Sequence, residues 1–164
     1  KTWNSTTEDK GWTQAFDLTT DSNPAASATA VASQTHTENG KAVHVEYAGW
    51  CGSCGSTTYN SGVATNVGGA WHQLPMTYTK ADGSTARMPQ RFISAVTIDP
   101  SDPSGKTVYV VYNGFSAQYI EGFGAGFGHV YKSTDGGETF TDVSGEPRTS
   151  ADAASRAASP RSMP

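Results

Sequence analysis

Short runs rich in valine, threonine and aromatic residues recur along this chain, with apolar residues at every second position. Val108, Val110 and Tyr112 are one example. Successive side chains of a strand point to opposite faces, so this period predicts half-buried strands rather than helices. The runs predict two sets of four strands, at Thr29–Gln34, Ala42–Ala48, Gly62–Asn66 and Ala70–Leu74, and at Phe92–Asp99, Thr107–Asn113, Gly128–Lys132 and Thr139–Ser144.

The two sets are related by an internal repeat. Ala30–Ala32 aligns without a gap with Ala95–Thr97 at an offset of 65 residues, and the match continues to Tyr47 and Tyr112. Self-similarity at a fixed period is the signature of a repeat architecture. Four-stranded units repeated head to tail predict the blades of a β-propeller.

The octet Ser133–Phe140 has the pattern S-x-D-x-G-x-x-aromatic and lies between the third and fourth strands of the second set. It predicts a hairpin turn. We expect Asp135 to accept hydrogen bonds from nearby backbone amides and Gly137 to take a positive φ. We expect Phe140 to bury itself against the sheet.

Two weaker copies of this octet set the phase of the repeat. At an offset of 69 residues, Asn66, Gly68 and Trp71 align with Asp135, Gly137 and Phe140. A third copy, Ser5–Trp12, has threonine where aspartate is expected, and predicts the last two strands of a preceding unit.

The octet resembles the Asp-box, or BNR repeat, of sialidase-like and related β-propellers. The resemblance implies an all-β fold, with two four-stranded antiparallel blades plus part of a third. It divides residues 1–145 into a blade end at 1–18, a blade at 28–74 and a blade at 91–145. In that family the box is a structural turn away from the catalytic centre, so we expect Ser133, Asp135, Gly137 and Phe140 to be structural.

Two blades cannot close a ring, because propellers typically have about 4 to 8. The chain also starts at Lys1 with neither an initiator methionine nor a signal peptide. We therefore expect a processed form or a piece of a longer protein, whose remaining blades would be its partners. Residues 146–164 abandon the repeat for an alanine, serine, arginine and proline tract, which predicts a disordered tail.

Composition excludes some functional classes. The formal net charge is −4, charged residues make up 16% of the chain, and the lysines and arginines form no run in the repeat region. This argues against a nucleic-acid surface. No apolar stretch approaches the roughly 20 residues that span a bilayer.

Trp50–Cys54 reads W-C-G-x-C after a predicted strand and so resembles a thioredoxin active site. The glycine- and serine-rich continuation is a poor helix former, and no βαβ pattern surrounds it. A zinc site would need further ligands. We favour a Cys51–Cys54 disulfide, which implies an oxidising, extracellular location, and we expect no metal or cofactor.

Long loops follow the second strand of each set, and the linker Pro75–Gln90 joins the two sets. In propellers such loops share one face, opposite the Asp-box turns, and binding usually resides in long loops on a rigid scaffold. Candidate ligand-binding residues on this face are Trp50, Tyr59, Tyr119 and Glu121. The alternative is that these aromatic residues pack the loops onto the blades.

Two functional hypotheses follow. The first is a non-catalytic segment of a secreted propeller that binds a glycan or protein ligand or serves as a scaffold. The second is part of a sialidase-like or other glycoside hydrolase. Arg87 and Arg91 are not in the F/Y-R-I-P motif of sialidases, and of the acids only Glu46 and Glu121 have no structural explanation. Paired carboxylates for glycoside hydrolysis therefore cannot be assigned, and the first hypothesis is favoured.

Overall fold

The computed structural model describes residues 27–51, 61–89, 92–112 and 129–144. These residues form ten strands in two sheets and contain no helix, so the all-β class is confirmed. The strands are β1 (Ser27–Glu38), β2 (Lys41–Cys51), β3 (Ser61–Thr65), β4 (His72–Gln73), β5 (Thr77–Thr79), β6 (Thr85–Arg87), β7 (Ile93–Ile98), β8 (Val108–Tyr112), β9 (Val130–Ser133) and β10 (Phe140–Asp142). The predicted tail, 146–164, lies outside the described residues.

The first sheet has the order β1-β2-β3-β4, and all neighbouring strands are antiparallel. Glu38 pairs with Lys41 across a two-residue turn. Asn39 and Gly40 both have positive φ, 50° and 77°, as the type I′ hairpin turn requires. This turn lets β1 extend to Glu38, four residues beyond the predicted end at Gln34.

The second sheet has the order β6-β5-β10-β9-β8-β7. Strands β7 to β10 form an antiparallel meander, as the second set of predicted strands requires. The segment 75–90 is more than the predicted linker. Its described part forms the hairpin β5–β6, and β5 joins the meander by pairing in parallel with β10.

One hydrophobic core joins the two sheets. A Cβ atom placed on Gly49 of β2 would lie 2.9 Å from Ile93 Cγ2 and 3.1 Å from Val96 Cγ2, both on β7. The core residues are Val45, Tyr47, Val63, Leu74, Met76, Met88, Ile93, Val96, Ile98, Val108, Val110, Tyr112, Tyr131 and Phe140. Close approach at Gly49 therefore brings β2 directly onto β7.

The gapless repeat alignment does not carry over to strand register. Val31 pairs with Ala48, whereas its aligned residue Val96 pairs with Val110. The cause is the first hairpin: its turn has two residues, while the loop from β7 to β8 spans 99–107. Val31 is consequently 76% exposed, whereas Val96 is 5% exposed.

The aligned residues of β2 and β8 lie in the same core. Val45 and Tyr47 of β2 and their counterparts Val110 and Tyr112 of β8 all lie in the shared core. Blades related by rotation about a common axis would turn equivalent faces the same way around the ring, so only one of the two would point toward the other sheet. The arrangement of the two sheets as successive blades is therefore not confirmed.

Candidate functional site

The turn at 133–140 is held by side-chain hydrogen bonds. Ser133 Oγ accepts from the amides of Asp135 at 3.2 Å and Gly137 at 2.9 Å, and donates to Asp135 Oδ1 at 2.7 Å. Asp135 also accepts from the Thr139 amide at 3.0 Å and from the Thr139 hydroxyl. Gly137 has a φ of 98°, and Phe140 is 1% exposed. Each feature expected of this turn is present.

The electrostatics of Asp135 match a structural role. Burial raises the pKa of its carboxyl, but hydrogen bonds from Thr139 and Ser133 outweigh burial and hold the pKa below its usual range. A carboxylate that accepts several bonds from its own turn has few lone pairs left for a ligand.

The degenerate copy of the turn is offset by one residue from the sequence alignment. Thr65 Oγ1 accepts from the Val67 amide at 3.1 Å, as Ser133 Oγ does from Asp135. Gly68 and Gly69 have φ of 86° and 119°, against 86° and 98° at Gly136 and Gly137. Thr65, and not Ala64, is therefore the structural counterpart of Ser133.

Asn66 differs from Asp135, the residue aligned with it in sequence. Its side chain reaches back to β2, where Oδ1 accepts from the Glu46 amide at 2.8 Å and Nδ2 donates to the His44 carbonyl at 3.1 Å. Trp71, aligned with Phe140, is half-buried rather than fully buried. This copy thus fixes the edge of β2 instead of capping its own turn.

Of the candidate ligand-binding residues, only Trp50 is described. It is 3% exposed, and its ring lies against Gly62, where an added Cβ would clash with the indole. This is the position of a packing residue, the alternative considered for the loop aromatic residues. Tyr59, Tyr119 and Glu121 lie outside the described residues.

Cys51 ends β2 and is fully buried. Cys54 lies outside the described residues, so the disulfide stays a prediction.

All five aspartates in the described part of the chain accept hydrogen bonds within their own turns. Besides Asp135, each belongs to an Asp-x-Ser sequence whose Oδ1 accepts from the amide and hydroxyl of the serine two residues on, namely Asp82, Asp99, Asp102 and Asp142. The Asp-x-Ser spacing was the signal in the sequence for these turns.

Asp102 is the most strongly held of these aspartates. Hydrogen bonds from Ser104 and Thr107 lower the pKa of its carboxyl far below the usual range. The Thr107 amide donates to Asp102 Oδ2 at 2.8 Å, and Gln34 Nε2 of β1 donates to the Asp102 carbonyl at 2.8 Å. The loop from β7 to β8 is thereby fixed to the first sheet.

Tyr47 links the sheets through a buried hydroxyl. Its oxygen donates to the Gly105 carbonyl at 3.0 Å, and burial raises the pKa of the phenol to about 12. A tyrosine with a raised pKa stays protonated and acts as a donor, not as a nucleophile.

The histidines do not converge on one place. His36, His44 and His72 lie on β1, β2 and β4, and His129 precedes β9. His72 Nε2 is 3.5 Å from Glu138 Oε1, and His129 Nδ1 is 3.4 Å from Asp142 Oδ2. Among the residues that the structure describes, no group of three histidines, cysteines or acids could hold a metal ion. The same residues contain no helix able to cross a membrane.

An open groove of about 580 Å³ lies along β1 and β7. We call it the edge groove. It is lined by Ala32, Ser33, Gln34, Val96, Thr97, Ile98 and Pro100. Sequence reasoning did not find it, because it depends on bringing together two strands that are distant in the chain.

Comparison with known proteins finds nothing similar: no family model, no curated protein and no solved structure matches this chain. Its function is therefore argued from the geometry of the described residues.

Proposed function

We propose that this chain is a scaffold or binding segment of a secreted Asp-box repeat protein and carries no complete active site. The observation that supports this most is the state of the five described aspartates, each of which accepts hydrogen bonds in its own turn. General acid and base work needs a carboxyl within reach of a substrate. These carboxylates instead stabilise their own loops by accepting hydrogen bonds.

The specific form of the proposal is that both sheets belong to an Asp-box β-propeller in a longer parent chain. The antiparallel order of β1 to β4 and of β7 to β10 supports it, as does the hydrogen-bonded turn at Asp135. The shared core of Val45 and Val110 is the observation against it, because it favours two sheets packed as a sandwich. The ligand class of this proposal is a glycan or a protein.

The test is a hydrolysis assay on the purified, oxidised chain with fluorogenic sialosides and β-glucosides. We expect no turnover above a protein-free blank. Glu46 is half-buried on β2, and its carboxylate lies 3.4 Å from Asn66 Nδ2, so Glu46→Gln is the informative variant. Turnover that Glu46→Gln abolishes, and that Glu138→Gln on the exposed turn preserves, would establish the glycoside hydrolase alternative.

A further inference from the structure

The edge groove lies along two strands, β1 and β7, whose outer edges no other described strand covers. β1 ends the first sheet and β7 ends the second. β1 is 12 residues long and pairs with β2 on one side only. Unpaired strand edges present backbone donors and acceptors that other strands can pair with.

Hydrogen bonding shows which backbone groups of β1 point outward. The Asn66 amide donates to the Glu46 carbonyl at 3.3 Å, and the Glu46 amide donates to Asn66 Oδ1 at 2.8 Å. Both backbone groups of Glu46 therefore point toward β3. Ser33 is opposite Glu46 in a pair that is not hydrogen-bonded, so the amide and carbonyl of Ser33 point to the free edge.

Hydrogen bonding to β8 likewise shows which backbone groups of β7 point outward. The Asp99 amide donates to the Thr107 carbonyl at 2.8 Å, so this pair is hydrogen-bonded. Pairs alternate along an antiparallel ladder, so Ile98, opposite Val108, and Val96, opposite Val110, are not hydrogen-bonded across it. The backbone groups of Val96 and Ile98 therefore point toward the free edge of β7.

The side chains that line the edge groove indicate what kind of segment it accepts. They are small, apolar or neutral, with no charged residue among them. At one end, beside Pro100, Gln34 Nε2 bonds to the Asp102 carbonyl.

We propose that the edge groove binds an uncharged segment of a partner protein in extended conformation, which pairs as an added strand with the outer edge of β1. Strand addition takes its affinity from main-chain hydrogen bonds and its specificity from alternate side chains. Ser33 supplies the main-chain groups, and the neutral lining disfavours charged side chains. This inference names the partner class for the proposed binding function and rests on that function.

The test uses the full chain and the neutral heptapeptide acetyl-Thr-Val-Thr-Ala-Thr-Val-Thr-amide. We expect the peptide to slow amide exchange at Ser33, measured by NMR, and to leave Thr37 unchanged. Ser33→Pro removes one outward amide and should weaken binding roughly five- to tenfold. Thr37→Pro is the matched control, because Thr37 also lies opposite a residue it does not hydrogen-bond but is outside the groove. It should bind as the wild type does.

A peptide N-methylated at every residue has no amide donor left on either edge and should bind clearly more weakly. Equal binding of both peptides, or unchanged exchange at Ser33, would overturn the proposal. If Ser33→Pro fails to fold, Thr97→Glu tests the neutral lining instead and should also weaken binding. A concentration-dependent dimer that excludes the peptide would identify a second copy as the occupant and so reject a partner. Glycoside turnover would reject the proposed function without touching the peptide result.

Discussion

Asp135 stabilises the turn from β9 to β10 through bonds that replacement by alanine would remove. The Thr139 amide and hydroxyl would both lose their acceptor. We expect Asp135→Ala to lower the free energy of unfolding by about 1–3 kcal/mol, measured by urea denaturation. Asp82→Ala is the control, because Asp82 bonds only within the exposed β5–β6 turn, and it should cost clearly less. Equal losses would mean that the turn at 133–140 stabilises the fold no more than an ordinary loop does.

Tyr47 should make the free energy of unfolding depend on pH in the alkaline range. Burial raises the pKa of its phenol from the ordinary 10.0 of tyrosine, which applies when the chain is unfolded, to about 12 in the folded chain. Between these values the folded state retains a proton that the unfolded state releases, so this contribution is fully present below pH 10 and is lost as pH rises toward 12.

Tyr47→Phe should remove this pH dependence. Below pH 10 it should also cost about 0.5–1.5 kcal/mol, the contribution of the bond to the Gly105 carbonyl. The measurement is the denaturation midpoint of the wild type and of Tyr47→Phe at a series of alkaline pH values. Parallel curves would show that Tyr47 does not titrate differently in the two states.

The β1–β2 hairpin depends on two consecutive residues in the left-handed region. Gly40 has a φ of 77°, and a Cβ there would meet no atom within 4 Å. The cost of Gly40→Ala is therefore purely conformational, and we expect about 1–2 kcal/mol in urea denaturation. Asn39→Gly keeps the backbone geometry and is the control, with a change well below that. If Gly40→Ala were neutral, the turn would have to adopt another geometry in solution.

Local sequence predicts strands well in this chain, because each strand follows from its own side-chain period. The prediction starts this strand at Thr107 and the observed β8 starts at Val108; β8 continues to Tyr112, the last described residue there. β5 and β6 were missed because each has three residues and β5 is held by parallel pairing with the distant β10. The register of β1 was missed because the gapless repeat alignment hid the Asn39–Gly40 turn.

In the candidate site too, features that depend on local sequence were predictable and features that depend on strand pairing were not. The Asp135 turn was predictable, since the side-chain hydrogen bonds that shape it are made within seven residues of sequence. Its link to the loop before β8, where the Gly136 amide donates to the Lys106 carbonyl at 2.9 Å, was not predictable from local sequence. The edge groove was not, because the outward direction of the Ser33 amide depends on the pairing of Glu46 with Asn66. Burial of Trp50 depends on its contact with Gly62, which likewise requires strand pairing.

The two sheets share contacts that should make them unfold together. Ile93 of β7 is fully buried beside Gly49 of β2, and a Cβ on Gly137 would clash with Leu74. A single core of this kind favours one cooperative transition over independent unfolding of each sheet. Two blades that fold independently would instead unfold in separate transitions.

Ile93→Ala tests this coupling, because it removes core volume from the second sheet where it contacts the first. We expect a loss of about 2–5 kcal/mol, with hydrogen-exchange protection falling equally at the amides of β2 and β8. Val143→Ala is the control, because Val143 is 44% exposed and its truncation should leave both strands unchanged. If protection fell in β8 alone, the sheets would be separate folding units. The shared core would then not be what stabilises the first sheet, and the main observation against successive propeller blades would lose its force.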